Sequence, residues 1–268
     1  MNTVELIAEI NKSKKYSSVY LPFLERICKE ESVKYKKDKE IIKAVKNRLH
    51  TVYGAFLNDN SVKLAEAFIE ENNTDILSLS EKLLNLNTSS RERFEFIKDL
   101  YKFIFETVKS ENISSILDIG CGFNPFSLPF MLKSIGGLNI KEYHAIDIDV
   151  CFAEIINKYF ALLKLPQYAG CVDIISEIPT QSADIAFLFK VIPTVENCKK
   201  NRGFEIINNL NTKYIVVSFP TKTLCGKNIG MSKNYADMFE KNINFDIFSI
   251  IGKATFPNEL VYILKKKL

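Results

Sequence analysis

The chain reads as a doubly wound α/β domain preceded by a small, basic, all-helical domain. Three observations predict this. From residue 113 onward, short apolar runs alternate with helical stretches. The first of these runs leads directly into a D-x-G-x-G turn, and the first 75 residues carry helical periodicity with a surplus of lysine and arginine. At 268 residues, 47% hydrophobic and 25% charged, the chain has room for one large core and an appendage.

In the N-terminal stretch, apolar positions recur three and four apart at Val4, Leu6, Ile7 and Ile10, and again at Ile41, Ile42, Val45 and Leu49. Only Pro22 and Gly54 interrupt the pattern. The polar run 70–74 (EENNT) sets the expected boundary, residues 1–75 against 76–268. Residues 1–50 hold 12 Lys/Arg against 7 acids, although the whole chain is only +4. Clustered cations neutralise phosphates and release counterions, which suits a polyanion-docking surface; a solvated helical face is the plainer alternative.

Ser89, with Glu92 three residues on, has the capping-box pattern and opens a helix through Phe94, Ile97, Leu100, Tyr101, Phe103 and Ile104. Strands are expected at 115–119, 143–148, 183–189 and 214–219, with a weaker one at 170–174. Two more, 245–252 and 260–265, flank the turn-like Phe256-Pro257-Asn258-Glu259 and would close the sheet as an antiparallel hairpin.

The chemistry concentrates at Asp118-Ile119-Gly120-Cys121-Gly122. Glycines let the backbone turn tightly and approach a ligand where a Cβ would collide. Asp147 ends the next strand, 27 residues after Gly120, where an acid accepts hydrogen bonds from two ribose hydroxyls. Asp173 follows one βα unit later, placed for an adenine edge. A dinucleotide would want a third glycine where Pro125 stands. The pattern therefore points to S-adenosylmethionine in the Rossmann-like sheet of class I methyltransferases.

Other classes drop out. No run of about 18 uncharged apolar residues occurs, so no membrane span or membrane partner is expected. The N-terminus lacks the order of a secretory signal. Six cysteines without a C-x-x-C and only two histidines exclude a zinc cluster, and free thiols point to the cytoplasm.

Segments 114–126 (SSILDIGCGFNPF), 187–193 (FLFKVIP), 217–230 (VSFPTKTLCGKNIG) and 258–263 (NELVYI), with Asn234, Tyr235 and Phe239, resemble the ArmA/Rmt family. Ser13-Lys14-Lys15-Tyr16 and Arg48-Leu49-His50 extend the similarity to the N-terminus. Members of that family are aminoglycoside-resistance enzymes that methylate N7 of guanine 1405 in 16S rRNA. The resemblance implies that the chain acts as a monomer on the 30S subunit. It also implies that basic residues of the helical domain, Lys14, Lys15, Lys36, Lys37, Lys46 and Arg48, contact rRNA phosphates. Arg93 would hold the methionine carboxylate, with Thr88 and Ser89 beside it. Asp118, Gly120, Gly122, Asp147, Asp173, Ile174 and Phe189 would complete the cofactor site. Asn87 and Lys199 stand where the family has histidine and glutamine.

Guanine N7 offers an in-plane lone pair and carries no proton, so its methylation needs placement rather than a general base. No acid–base residue is assigned. Lys190, Lys222 and Lys227, after strand ends, are positioning candidates for RNA phosphates or the flipped base. Cys225 reads as an ordinary loop thiol, and His50 as structural or phosphate-binding. The alternatives are methylation of another rRNA nucleotide, such as an adenine N1, methylation of a small molecule, or RNA binding without catalysis.

Overall fold

The computed structural model describes residues 1–54, 60–71, 75–108, 113–136, 138–221 and 230–267. Three helices come first: α1 (Thr3–Asn11), α2 (Leu21–Lys34) and α3 (Asp38–Leu49). Each buries one stripe. Leu6 and Ile10 of α1, Phe23, Leu24 and Ile27 of α2, and Ile41, Val45 and Leu49 of α3 share one core. Val4, off that stripe, is 76% exposed, which is how an amphipathic surface helix behaves. Pro22 sits in the first turn of α2, where its missing N–H costs nothing.

Next come α4 (Ser61–Glu70), α5 (Ile76–Leu84), α6 (Thr88–Phe94) and α7 (Ile97–Thr107). Ala65, Ile69, Leu79, Leu83, Leu100 and Ile104 from these helices belong to a different core, on one face of the sheet.

The remaining elements are β1 (Ser115–Ile119), α8 (Leu128–Ser134), β2 (Glu142–Asp147), α9 (Val150–Leu162), β3 (Ala169–Cys171), β4 (Ala183–Phe189), α10 (Val191–Cys198), α11 (Arg202–Asn209), β5 (Thr212–Pro220), α12 (Met231–Asn242), β6 (Phe248–Phe256) and β7 (Glu259–Lys266). They form one seven-stranded sheet in the order β3-β2-β1-β4-β5-β7-β6. The first five strands are parallel, and β7 enters antiparallel between β5 and β6. The doubly wound class and the closing hairpin are as expected. Side chains alternate between the two faces: Ile116 joins the core with α4–α9, Leu117 and Ile119 the core with α10–α12. The strand order reverses between β1 and β4, so a crevice opens at the carboxyl ends of the strands there.

Three expectations are corrected. β6 runs from Phe248 to Phe256 rather than over 245–252, because Phe245 is 49% exposed and a bulge at Ile250/Gly252 carries the pairing onward to Glu259. β3 is only three residues and ends before Asp173. The cap of α6 is Asn87, whose side chain accepts from the Ser89 and Ser90 N–H groups, displacing the Ser89–Glu92 box. Among the described residues no helix is long and apolar enough to cross a membrane.

Candidate functional site

The turn after β1 builds the centre of the crevice. Gly120 (φ +62°) and Gly122 (φ +49°) both occupy the left-handed region. A Cβ on Gly120 would lie 2.6 Å from Val191 Cγ2, whereas one on Gly122 would meet nothing within 4 Å. One glycine is therefore required by α10, and the other borders open space that an occupant can approach closely. The Gly122 N–H donates to Asp147 Oδ2 at 2.7 Å, and the Ile148 N–H donates to Oδ1 at 2.7 Å. Burial pushes the Asp147 carboxyl up to about 6 against these donors.

Asp118 lies beneath the turn. It is buried, accepts from Tyr143 OH at 2.7 Å and Asn124 Nδ2 at 2.8 Å, and is pushed by burial to about 6. The other end of the Asn124 amide, Oδ1, accepts from Arg93 Nη1 at 3.1 Å and Tyr101 OH at 3.0 Å. Arg93, from α6, is buried over the Phe189 ring, with Cζ 4.4 Å from its centroid. Its Nε donates to Glu259 Oε1 at 2.9 Å, and Nη2 lies 2.8 Å from the same oxygen. Lys190, the left-handed residue (φ +60°) between β4 and α10, places Nζ 3.3 Å from Glu92 Oε2 and 3.5 Å from Glu259 Oε1.

The opposite end is closed by the helical N-terminus. The Tyr20 N–H donates to Ile148 O and the Val150 N–H to Ser18 O, each at 2.8 Å, which stitches the start of α2 to the end of β2. Phe23 and Val52 then line the cavity. From α2, Arg26 grips Asp173 through Nε (2.5 Å to Oδ2) and Nη2 (3.2 Å to Oδ1). The same carboxylate also accepts from the Ile175 N–H at 3.1 Å and Ser176 Oγ at 2.9 Å. All four of its acceptor positions are thus filled by protein donors. The chain of charges continues outward: Arg26 Nη1 meets Glu30 at 2.9 Å, and Arg48 Nη1 meets Glu30 at 2.5 Å and Glu31 at 2.9 Å.

Of the residues singled out in the sequence, Asn87, Ser89, Arg93, Gly120, Gly122, Asp147, Asp173, Ile174, Phe189 and Lys190 line this one cavity. Thr88, Asp118 and Lys199 do not. Asp118 supports the floor, and Lys199 terminates α10 with its N–H on Val195 O. Lys222, Lys227 and Cys225 lie outside the described residues. On the helical domain Lys14, Lys36 and Lys37 are exposed and Lys15 and Lys46 half-buried, while Arg48 is turned onto Glu30 and Glu31. Lys37 sits 3.5 Å from Glu40, and Lys15 Nζ 3.5 Å from His50 Nδ1. Sequence reasoning missed Phe23, Arg26, Asn124, Val195 and Glu259. Their partners lie far off in the chain, 147 residues away for Arg26 and 166 for Glu259, and no local spacing signals such pairs.

The cavity joins an acid at the tip of β2, a cation at one end and apolar walls between. A family model described as ribosomal RNA methyltransferase (FmrO) matches residues 12–263. The chain is 32% identical over 267 residues to the 16S rRNA (guanine(1405)-N(7))-methyltransferase of Serratia marcescens, covering 99% of both. It is 31% identical over 280 residues to the enzyme of that name from Proteus mirabilis, covering 98% of this chain and 96% of that one. Among solved structures, 16S rRNA methyltransferase RmtF in complex with S-adenosyl-L-homocysteine superposes with a TM-score of 0.85 at 28% identity over 100% of both chains. The 16S rRNA methylase RmtB gives 0.83 at 29% identity, covering 100% of this chain and 99% of that one. This chain belongs to the FmrO family of ribosomal RNA methyltransferases.

Proposed function

We propose that the chain methylates N7 of guanine 1405 in 16S rRNA of the 30S subunit, using S-adenosylmethionine, and so confers aminoglycoside resistance. One observation carries this reading: relatives bearing that activity in their names match end to end, helical N-terminus included. The residues of the cavity fit the cofactor. Gly122 borders open space, Arg93 supplies a cation for an amino-acid carboxylate, and Asp147 supplies an acceptor for ribose hydroxyls. Bound there, S-adenosylmethionine supplies a methyl group activated by its sulfonium.

The chain's own residues then bind and orient. Arg93 holds the amino-acid end, with Asn87 and Ser89 around it; Asp147 holds the ribose. Ile148, Val172, Ile174 and Phe189 exclude water. Among the described lining residues there is no histidine, and both carboxylates are committed to hydrogen bonds. A nucleophile without a proton asks for no more, and in-line placement supplies several kcal/mol, as effective-molarity comparisons indicate. Helices α1–α3 serve as the docking part and the sheet with its flanking helices as the catalytic one; the expected boundary at residue 75 would place α4, which packs on the sheet core, in the wrong half. Lys14, Lys15, Lys36, Lys37 and Lys46 meet rRNA phosphates, Lys190 positions the base, and the protein works as a monomer in the cytoplasm.

The test is incubation with 30S subunits and labelled cofactor, followed by borohydride/aniline cleavage at 7-methylguanine. A single stop at guanine 1405 is expected. Label in another nucleotide, or in small metabolites instead of 30S particles, would remove the assignment.

A further inference from the structure

We infer that Glu259 is a positioning residue for the amino-acid end of the cofactor: one buried carboxylate that fixes the guanidinium of Arg93 and the ammonium of Lys190 together on the cavity wall. This rests on the reading that Arg93 receives the cofactor's carboxylate.

The placement follows from topology. Because β7 runs antiparallel to β5, its first residue lies beside the last residue of β5, with Glu259 paired to Pro220. An antiparallel strand thereby delivers its first side chain to the edge where the parallel strands present their carboxyl ends. The two-residue turn before it is tied down, since the Thr221 N–H donates to Asn258 O at 3.2 Å. Glu259 itself is 0% exposed and does not line the cavity, so it reaches an occupant only through its partners.

The energetics favour a positioning role. A buried carboxylate is costly unless paired. Here Oε1 alone faces Arg93 Nε at 2.9 Å, Arg93 Nη2 at 2.8 Å and Lys190 Nζ at 3.5 Å. Burial by itself would raise the Glu259 carboxyl, yet the adjacent Arg93 and Lys190 hold it below the ordinary carboxylate range. Two cations on one wall repel; the shared oxygen offsets this for both, and Glu92 Oε2 at 3.3 Å is a further partner for Lys190. With Asn124 taking one Nη1 proton and Glu259 one Nη2 proton, each Nη of Arg93 still carries a second N–H to offer a carboxylate. Phe189 beneath the guanidinium plane and Glu259 at its edge determine which way that pair of donors points.

The experiment compares two ligands by calorimetry. S-adenosylhomocysteine has the amino-acid end; 5′-methylthioadenosine has the nucleoside and thioether but lacks it. Glu259→Gln is expected to weaken S-adenosylhomocysteine about tenfold, the scale of one charge-assisted hydrogen bond, and to leave methylthioadenosine binding unchanged. In turnover on 30S subunits the cofactor KM rises and kcat holds. Equal weakening of both ligands, or no weakening of either, overturns the role. Arg93→Lys is the control. If it weakens the two ligands alike, the reading of Arg93 fails; if it selects against S-adenosylhomocysteine while Glu259→Gln does not, only the Glu259 role fails. Glu259→Asp keeps the charge but withdraws it from Arg93. Should the Gln variant lack a cooperative thermal transition, the Asp variant is titrated with the same two ligands, and selective loss of S-adenosylhomocysteine again supports the role while equal or absent loss overturns it.

Discussion

The two ends of the cavity use one device, a guanidinium on a carboxylate, in opposite ways. At the Arg93 end every member is buried and set against the sheet: Arg93, Glu259, Asn124, Asp118, Tyr143 and Tyr101. At the Asp173 end the pair joins two cores, since Arg26 rides on α2, whose apolar face packs with α1 and α3. The first arrangement draws none of these residues from α1–α3. The second exists only when α2 is docked, and it runs outward through Glu30 to Arg48 on the basic helix α3. One end is set within the sheet's own core; the other ties the cavity to the helical N-terminus.

The largest effect expected from breaking this contrast is at Arg93. Arg93→Met leaves Glu259, 0% exposed, with Lys190 at 3.5 Å as its remaining cation, beside the Ser218 hydroxyl. Removing one partner of a buried pair costs about 3–5 kcal/mol, mostly because the remaining charge stays buried. Urea denaturation should show a lower midpoint at unchanged m, and adding Glu259→Leu to the same chain should recover much of the loss. A drop under about 1 kcal/mol, the size typical of exposed ion pairs, would mean that this end is no more rigid than the surface.

Much of this architecture was legible from local pattern. β1 and β4 fall on their predicted residues because apolar runs buried on both faces leave little choice of register. Gly120, Gly122 and Asp147 lie at the crevice because the turn holds both glycines at positive φ and the strand tip faces it. Patterns failed where a tertiary partner decided the matter. Glu92 looked like a cap but answers Lys190, 98 residues on. Asp173 lines the cavity, but Arg26 and its own loop, which the sequence does not signal, also take its acceptors. Arg48 looked like a phosphate contact but is turned onto two acids. In each case the residue type was informative and its partner was invisible.

The second test sharpens the contrast at Asp173. Arg26 is 16% exposed and Asp173 3%, so the pair is better shielded than a surface bridge but less than Arg93–Glu259. Arg26→Gln should cost about 1–2 kcal/mol, the lower range for hydrogen bonds to charged groups. Unlike changes at the Arg93 end, it should weaken S-adenosylhomocysteine and methylthioadenosine alike, because α2 roofs the nucleoside half. A double-mutant cycle with Asp173→Asn should return a coupling of about 1 kcal/mol. Additive single effects would show that the Arg26–Asp173 pair adds nothing to the backbone bonds and apolar contacts that hold α2, and that no charge link runs from α3 to the cavity.

The smallest effect is a titration. Asp147, pushed up to about 6 by burial, binds its proton more readily in the folded chain than unfolded, where a carboxyl titrates near 3.8. Between those values the native state holds the extra proton, so this group's contribution to stability falls as pH rises through the window and is level above about 6. Asp118, also at about 6, adds in the same direction. Ribose hydroxyls donate to the ionised form of Asp147, so binding should run the other way. S-adenosylhomocysteine affinity should climb up to about tenfold per pH unit below the midpoint and flatten above it, with release of a proton near pH 6. Calorimetry in buffers of different ionisation heat counts that proton directly. Asp147→Asn should abolish the count while Asp118→Asn should leave it, since Asp118 lies beneath the turn, where it accepts from Asn124 and Tyr143, and does not line the cavity. A proton count that survives Asp147→Asn would move the ribose contact to another acid, and with it the boundary between the two ends of the cavity.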